Sequence, residues 1–342
     1  MIFTTCLYSL CFGQEFLDVT PGRRLGFPES FYYQEDYRVQ WWYFTGHLFD
    51  GSGREFGYEL TFFVVNVQQR NYRSRFGVRR VYISHFAVSD VAGNTFHFSD
   101  NADTGAYGFA GADNDRVRVW VGDNVLEGTL GKMHLKASGA DDAIDLQLVP
   151  VKPVVLHGKQ GYSRKSAVSP SVASYYFSYT DLDTEGELRI NNKTFRVRGK
   201  SWFDREISTR GLAENQAGWD WFSVQLDDKR EIMLYTLRNK DGSADPYSSG
   251  TVIYPDGRYR HLAKDDFSVR IQANRKSGKT GARYPSQWEI KVPSEQLAMR
   301  ITPLIADQEV LAYHTTGNHY WEGACRVEGP AKGRAYVEMT GY

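Results

Sequence analysis

The sequence has few cysteines, no excess of either charge and no long apolar segment, and each shortage excludes a class of protein. Its three cysteines, Cys6, Cys11 and Cys325, form no Cys-x-x-Cys pair, so neither a disulfide framework nor a thiolate metal site is indicated. Basic and acidic residues number 41 each, so no overall field favours nucleic acid. No segment approaches the about 20 apolar residues of a membrane span. We therefore expect a soluble protein with no metal, no nucleic-acid partner and no transmembrane segment.

The N-terminus also lacks the features of a complete export signal. Residues 1–13 hold a short apolar run, but no basic residue precedes it and no Ala-x-Ala-like exit follows. At most this run is the remnant of a targeting segment, so the periplasm and the cell envelope stay open as locations. One locally basic stretch is interpreted as a solvated hairpin loop, with peripheral contact to membrane phosphate groups as the alternative; it comprises Arg70, Arg73, Arg75, Arg79 and Arg80.

Two common catalytic patterns are missing as well. Residues 273–280 fit a loose phosphate-loop pattern, yet a strand-like segment follows where such a loop must open a helix. We therefore predict a charged hairpin turn there. No Gly-x-Ser-x-Gly elbow is present, which excludes an α/β-hydrolase site.

Aromatic residues and strand signals are what the sequence has in abundance. Phe, Trp and Tyr make up 15% of the chain, and Gly, Asn and Asp separate short β-rich segments, as at Asp50-Gly51. No amphipathic helix longer than about three turns is evident. The sequence therefore predicts an all-β protein, with strands at Phe56–Val65, Val81–Ser89, Arg116–Val121, Thr129–Lys136, Ala143–Val149, Ser174–Thr180, Glu187–Ile190 and Phe195–Phe203.

A faint internal repeat divides the chain into two halves. Trp41-Trp-Tyr-Phe44 matches Trp219-Asp-Trp-Phe222, and Gly199-Lys-Ser-Trp-Phe-Asp204 matches Gly333-Arg-Ala-Tyr-Val-Glu338. Each half therefore opens on a Trp-rich strand and closes on a strand with a late acidic residue. Because a barrel closes by pairing its first strand with its last, we predict two tandem barrels: an N-terminal extension at 1–34, one barrel at 35–205 and a second at 206–342.

The segment between Gly199 and Leu226 mixes large aromatics with charged groups. Tryptophan buries a large apolar area, while Asp, Arg and Glu resist burial unless they are paired. Such a segment either places paired charges inside an aromatic pocket or seals one end of a barrel with a salt bridge. The first reading describes a small-molecule site, and the second is purely structural.

These motifs resemble the carotenoid 1,2-hydratase-like (hydroxyneurosporene synthase-like) proteins, and among them the attachment-protein-H (AttH)-like branch. The resemblance covers about residue 35 to the end and rests on Ser174–Thr180, Gly199–Glu206, Gly218–Phe222, Tyr235–Arg238, Gln40–Tyr43, Tyr320–Gly323 and Tyr336–Tyr342. It implies a pair of lipocalin-like barrels and a small hydrophobic ligand. The hydratases of the group add water to a carbon–carbon double bond without a cofactor.

The chain departs from the hydratases at two places. They carry Asp-His-Asn-Trp where this chain has Asp204-Arg205-Glu206-Ile207, and they use an acidic residue where our alignment places Leu237. The resemblance therefore implies fold more firmly than activity. We expect a cofactor-independent, hydratase-like lyase or isomerase for a lipophilic polyene, terpenoid or polyketide; the alternative is a lipocalin-like binding protein without chemistry.

Candidate catalytic groups follow from the chemistry of alkene hydration. A carboxylic acid kept neutral by apolar surroundings protonates carbon, and aromatic faces stabilise the resulting cation. We take Asp204 as the acid, with Glu206 on the same face of its strand and Asp220 as a further candidate. Arg205 points to the other face and is expected to reach a carboxylate such as Asp220 or Glu59. His85 orients a water molecule or is a core histidine.

We expect the ligand to contact an aromatic wall where the two barrels meet. Trp42 opens the first barrel and Trp202 closes it, so the seam should bring the two indoles together. The Trp219 and Trp221 indoles share one face of their strand, although a Trp-x-Trp pair is also ordinary barrel core. The full predicted ligand-binding set is Trp42, Tyr176, Trp202, Arg205, Trp219, Trp221 and Tyr235; two separately packed cores with no cavity are the alternative.

Overall fold

The computed structural model describes residues 16–67 and 77–342, and almost all of their regular structure is β-strand. The described helices are single 3-10 turns at Glu29–Phe31, Ala106–Gly108, Lys264–Asp266 and Pro293–Glu295. The all-β class predicted from the sequence is confirmed. Arg70, Arg73 and Arg75 of the basic stretch lie outside the described residues, as do residues 1–13.

The N-terminal half forms an antiparallel sheet that curls into a near-barrel. Its described strands are β1 (Val39–Asp50), β2 (Glu55–Asn66), β3 (Arg80–Asp90), β4 (Thr95–Asp103), β5 (Ala110–Ala112), β6 (Val117–Val121), β7 (Asn124–Thr129), β8 (Lys132–Ser138), β9 (Asp142–Pro150), β10 (Val155–Leu156), β11 (Tyr162–Arg164), β12 (Ala173–Ile190) and β13 (Lys193–Ser208). The main order is β4-β3-β2-β1-β13-β12-β9-β8-β7-β6-β5, while β10 and β11 pair with β12. The first strand thus pairs with the last.

The C-terminal half repeats this plan as a half-barrel. Its described strands are β14 (Gln216–Leu226), β15 (Glu231–Asn239), β16 (Ser249–Ile253), β17 (Tyr259–Ala263), β18 (Ser268–Lys276), β19 (Arg283–Val292), β20 (Leu297–Pro303), β21 (Glu309–Ala312), β22 (Asn318–Glu328) and β23 (Gly333–Thr340). Their order is β17-β16-β15-β14-β23-β22-β20-β19-β18, with β21 on β22. Opening strand β14 again pairs with closing strand β23.

The pairing of opening and closing strands makes the sequence repeat a structural one. In the first half, Tyr43 of β1 lies opposite Asp204 of β13. In the second half, Trp221 of β14 lies opposite Glu338 of β23. Asp204 and Glu338 therefore occupy related positions in two related sheets.

Each sheet curls around its own apolar core. Side chains at alternate positions, such as Phe44 and Phe203, fill the first core, and Phe222 and Trp288 belong to the second. The Asn124 amide donates to the Ser84 hydroxyl at 3.0 Å, which ties β7 to the opposite end of the sheet at β3. The side chains between these positions point to the outer faces, and part of each outer face is buried against the other half.

Several strand predictions differ from the structure in their limits, and the predicted strand Thr129–Lys136 begins at the end of β7 and crosses a turn into β8. Ser174–Thr180 and Glu187–Ile190 form one strand, β12, because a bulge after Tyr179 absorbs the irregular residues between them without ending the ladder. Residues 209–215 then link β13 to β14. The domain limits 1–34, 35–205 and 206–342 stay a prediction. The turn after Lys276 joins the paired strands β18 and β19, as expected for a hairpin.

Candidate functional site

The outer faces of the two sheets meet in an aromatic layer, which we call the interface layer. An outer sheet face is polar when it meets water, and these positions are apolar because each covers the other barrel. The interface layer contains Tyr43, Val155, Tyr176, Trp202, Trp221, Met233, Tyr235, Leu237, Ile253, Ala324 and Tyr336, with Trp41, Trp219 and Leu304 at its margin. The Tyr43 and Trp221 rings, related by the repeat, meet edge to face at 5.2 Å.

Asp204 lies in the interface layer and accepts hydrogen bonds on both carboxylate oxygens. The Tyr176 hydroxyl donates to Oδ2 at 2.5 Å and the Trp202 indole N–H donates to Oδ1 at 2.6 Å. The Ser178 hydroxyl donates to Oδ1 as well. The Trp221 N–H in turn donates to the Tyr176 hydroxyl at 3.0 Å. Two indoles and a phenol from both barrels therefore surround one carboxyl group.

Burial changes the acidity of this carboxyl group. Only 4% of Asp204 is exposed. Burial raises the pKa of Asp204 from 3.8 to about 7, although the bonds from Ser178, Tyr176 and Trp202 favour the ionised form. Asp204 therefore changes its protonation near neutral pH, which is the property that a general acid needs.

Glu206 follows on the same face of β13 and is ion-paired. Its carboxylate lies 2.9 Å from the Lys165 ammonium and accepts a hydrogen bond from Ser174. The Lys165 ammonium also lies over the rings of Tyr176 and Tyr235, at 4.8 and 4.5 Å from their centroids. Burial disfavours the charged lysine, but Glu206, Tyr235 and Asp204 together outweigh it, and the pKa of Lys165 is raised. The Lys165 ammonium therefore stays charged close to Asp204.

Three further carboxyl groups lie near the interface layer. The Tyr43 hydroxyl donates to Glu322, and Thr61 donates to Glu59. Burial raises the pKa of Glu59 and of Glu322 well above the usual range, and burial raises the pKa of Glu338 to about 7. Glu59 Oε2 and the Tyr336 hydroxyl are buried without a hydrogen-bond partner.

Two buried histidines connect the barrels. His85 Nδ1 lies 2.8 Å from the Tyr320 hydroxyl, and burial lowers the pKa of His85 to about 3. His157 bridges Ser178 and Thr251 at 2.7 and 2.8 Å, and burial keeps its pKa well below the ordinary value. Both rings are therefore neutral at physiological pH. His157 belongs to the Asp204 network through Ser178. His85 instead hydrogen-bonds to Tyr320 and Thr315 of the second barrel.

A cleft of about 740 Å³ opens where the barrels meet. Ser163 and Tyr235 line it, and their hydroxyls are 2.9 Å apart. The Tyr235 ring also carries Lys165 on its face, so the cleft ends next to the Lys165–Glu206 pair. Other lining residues are Val19, Pro21, Tyr162, Arg164, Pro170, Pro246, Tyr247 and His261. Its size falls within the range of small-molecule sites.

The structure brings together most, but not all, of the predicted ligand-binding residues. Tyr176, Trp202, Trp219, Trp221 and Tyr235 lie in or at the margin of the interface layer. Tyr235 is the one among them that lines the cleft. The two tryptophans of β14 were also expected as ordinary barrel core, and they instead cover the other barrel.

Trp42 and Asp220 lie elsewhere, which corrects their predicted placement. Successive strand residues face opposite sides, so Trp42 fills the first barrel core while its neighbour Tyr43 faces Trp221. Asp220 alternates in the same way between Trp219 and Trp221. It is bound by Arg238 at 3.1 Å and by the Tyr342 hydroxyl, away from Asp204.

The expected carboxylate partner of Arg205 is also wrong. Arg205 is fully buried over the Trp42 ring, at 3.8 Å from the centroid. It donates to the carbonyls of Phe31, Tyr32, Trp41 and Glu206 and to the Gln40 side chain. Five acceptors of partial charge satisfy the guanidinium in place of one carboxylate, so Arg205 holds residues 31–32 against the first barrel.

Sequence reasoning missed several groups of the site. Neither Glu322 nor Lys165 was among the candidates: Glu322 meets Tyr43 only where the two halves pack together, and Lys165 reaches Glu206 from the segment that follows β11. Glu338 was detectable, since the repeat aligns it with Asp204. Leu237, where the resemblance calls for an acidic residue, belongs to the apolar part of the interface layer. Within 16–67 and 77–342, no three His, Cys, Asp or Glu side chains form a group that could hold a metal ion.

Comparison with known proteins identifies relatives of the whole chain. A family model described as AttH-like matches residues 18–342. An AttH protein from Nitrosomonas europaea, known by crystal structure, is 31% identical, with a TM-score of 0.87 over 95% of this chain and 99% of that one. Among curated protein sequences, none matches.

Two more distant structures share the fold. Kievitone hydratase from Nectria haematococca has a TM-score of 0.71 at 13% identity, over 96% of both chains. CghA has a TM-score of 0.58 at 12% identity, again over 96% of both chains. These neighbours confirm the tandem lipocalin-like fold, and at such identities they show the fold alone. In the described part of the chain, no helix is long and apolar enough to cross a membrane.

Proposed function

The chain belongs to the AttH-like family, and we propose that it is a cofactor-independent, hydratase-like lyase or isomerase. Its substrate is a small lipophilic molecule such as a polyene, terpenoid or polyketide, bound at the cleft between the barrels. Asp204 is the residue that transfers the proton. Among the structural neighbours, one is named a hydratase and another, CghA, has been crystallised with Sch210972; the proposal extends the first of these chemistries to this chain.

The observation that carries the proposal is the state of Asp204. A carboxyl group with a pKa of about 7 is protonated in a substantial fraction of molecules at neutral pH. The same group is hydrogen-bonded to Trp202 and Tyr176, and Trp221 bonds to Tyr176 in turn; we assign the faces of these rings to stabilising a cation formed beside them. A proton donor and a cation-stabilising surround are the two requirements for protonating an unactivated double bond.

The hydrogen bonds indicate how the proton leaves Asp204. The Tyr176 hydroxyl is 2.5 Å from Oδ2, and its ring lies beneath the Lys165 ammonium that borders the cleft. Protonated Asp204 donates across this contact, which reverses the direction of that one hydrogen bond. Lys165 keeps its positive charge beside it, and we assign the Lys165–Glu206 ion pair to orienting the polar end of the substrate.

The test compares the protein with Asp204→Asn. Apolar extracts are incubated with each protein, and the retained and converted compounds are identified by mass spectrometry. We expect the wild type to convert a compound by addition or loss of one water or by isomerisation, and Asp204→Asn to bind it without converting it. Tryptophan fluorescence of Trp202 and Trp221 reports binding in both proteins. Equal turnover by the variant would remove Asp204 from the reaction.

A binding protein without chemistry is the second candidate. The observation that favours it is the saturation of Asp204, whose oxygens already accept three hydrogen bonds while 4% of the residue is exposed. The replacement of the hydratase motif by Arg205-Glu206-Ile207 points the same way. In the same experiment this candidate predicts retention of a lipophilic compound whose mass does not change.

A further inference from the structure

Glu338 is related to Asp204 by the internal repeat and faces the same interface. Both stand on closing strands, opposite Trp221 and Tyr43 respectively, and these two rings contact each other. The Trp221 indole also donates to Tyr176, which binds Asp204. The repeat therefore brings two carboxyl groups, one from each barrel, next to the two rings of one contacting pair.

The two carboxyl groups differ in their access to water. Asp204 is sealed among Tyr176, Ser178 and Trp202 and is 4% exposed. Glu338 is partly exposed and accepts a hydrogen bond from Trp219, which is itself partly exposed at the margin of the interface layer. A dry carboxyl group keeps its proton and a wetter one loses it more readily.

Burial raises the pKa of Glu338 to about 7; a hydrogen bond from Trp219 and the charge of Lys165 oppose this rise, and the charges of Glu206 and Asp204 add to it. Access to water, and not a difference in pKa, therefore distinguishes Glu338 from Asp204. On the other side, Glu322 and Glu59 are held neutral by burial and contribute little charge. In the described part of the chain, Glu338 itself forms no ion pair with any basic residue. Its carboxylate is free to accept a proton.

We propose that Glu338 is the second catalytic carboxyl group, the general base that accepts a proton from the attacking water while Asp204 acts as the acid. The proposal rests on the proposed function and extends it to a defined reaction class, water addition by an acid and a base carried on the two barrels. Two carboxyl groups whose surroundings separate their roles are a recurrent solution to acid–base catalysis.

The step balances with water as the second reactant. The Tyr176 hydroxyl gives its proton to the π pair of the substrate double bond while Asp204 passes its proton to the Tyr176 oxygen, which forms a C–H bond and leaves a carbocation and an Asp204 carboxylate. A lone pair of water then forms the C–O bond, and one proton of the resulting oxonium passes to Glu338. The net change is addition of one water. Glu338 afterwards releases its proton to solvent, and Asp204 regains one.

The pair can be tested without a substrate. Two interacting carboxyl groups lose their protons in two macroscopic steps, so at neutral pH they share one proton. Because Glu59 and Glu322 are protonated as well, difference spectra between the wild type and each of Asp204→Asn and Glu338→Gln isolate the carbonyl stretch of the Asp204 acid. We expect the component that Asp204→Asn removes at pH 7 to be retained in Glu338→Gln, with the Asp204 titration moved to lower pH because a negative neighbour is gone. Loss of the band in Glu338→Gln alone, or a titration of Asp204 unchanged by that variant, would overturn the assignment.

The second part of the test measures the rate at which each variant converts a compound that the wild type converts. Glu338→Ala should lose at least tenfold in rate, and added formate should restore part of it, because a small carboxylate can enter a partly exposed site. Asp204→Ala should not respond to formate, since its site is sealed. Circular dichroism and thermal unfolding verify that each variant is folded, and Glu338→Gln replaces Glu338→Ala if the latter is not. If the wild type converts nothing, the proposed function fails while the infrared result still decides whether the two groups form a pair; unchanged turnover in a folded Glu338 variant refutes the base role alone.

Discussion

Replacing Asp204 with asparagine should make the protein more stable at alkaline pH. The native site keeps a carboxyl group where burial opposes its charge, so the folded protein is penalised whenever Asp204 ionises. Its pKa rises from 3.8 to about 7 on folding. Asparagine has the shape of the protonated acid and never ionises, so Asp204→Asn reports the free energy stored at this one group.

The sign and size follow from the difference in pKa. Between pH 3.8 and about 7 the folded protein binds a proton at Asp204 that the unfolded chain has lost. The free energy of unfolding therefore falls as the pH rises through this window. A pKa difference of about 3 corresponds to about 4 kcal/mol, which is an upper limit, and the loss is complete above pH 7.

The amide can be accommodated by the same neighbours. Its oxygen accepts from Trp202 and Ser178, and its N–H group donates to the Tyr176 oxygen. We therefore expect a change of less than about 1 kcal/mol at pH 5 and a gain of about 2 to 4 kcal/mol at pH 9.

Urea unfolding of both proteins at pH 5 and pH 9 measures these differences. Asp220→Asn is the comparison variant, because it makes the same chemical change at a buried carboxyl group of raised pKa that is, in contrast, ion-paired with Arg238. Since it also removes that ion pair, it should gain less stability relative to the wild type between pH 5 and pH 9 than Asp204→Asn does. A variant Asp204→Asn that is less stable than the wild type at pH 9, or whose effect is equal at the two pH values, would refute the reasoning.

Three further outcomes follow from other contacts. Lys152→Met should lower the free energy of unfolding, measured by heat or urea, by about 3 to 5 kcal/mol. It leaves Glu231 buried without the ammonium group that binds both of its oxygens at 2.7 Å, so adding Glu231→Leu should recover much of the lost stability. Arg205→Lys should destabilise by at least about 2 kcal/mol in the same assay, since an ammonium cannot serve the spread of acceptors around the guanidinium, while ligand retention stays unchanged. The imidazole signals of His85 in NMR spectra should not titrate between pH 5 and pH 8, because burial lowers its pKa to about 3; a midpoint near 6 would place His85 in contact with water.

The class of fold was predictable because its signals are local and repeated. Alternation in segments such as Phe56–Val65 marks strands, and the match of Trp41–Phe44 with Trp219–Phe222 marks two related halves. The limits of β12 were less predictable, since a bulge after Tyr179 keeps a ladder intact where turn residues suggest a break. Whether a Gly- or Asp-containing segment ends a strand depends on the partner strand.

The placement of the site was predictable only in part. Alternation puts Trp202, Asp204 and Glu206 on one face, and the structure places that face at the interface. The same alternation places the Trp42 side chain in the barrel core. The prediction that Trp42 meets Trp202 at the barrel seam used only the pairing of their strands and did not consider which face each side chain occupies. Which face meets the other barrel is a property of the assembled pair.

The partner of Arg205 was unpredictable for a related reason. A buried guanidinium suggests a carboxylate, yet backbone carbonyls of residues 31 and 32 satisfy it. Those residues belong to the N-terminal extension, whose path no pattern in the sequence indicates. Lys165 likewise reaches Glu206 from a connecting segment of the first barrel.

The most direct test of the central claim follows labelled water into a product. The protein and Asp204→Asn are incubated with an apolar extract in water enriched in oxygen-18, and the recovered compounds are analysed by mass spectrometry. The account predicts a compound that gains one labelled water with the wild type and is bound unchanged by the variant. A retained compound that neither protein alters would contradict it and identify a binding protein, and equal labelling by both proteins would place the chemistry away from Asp204.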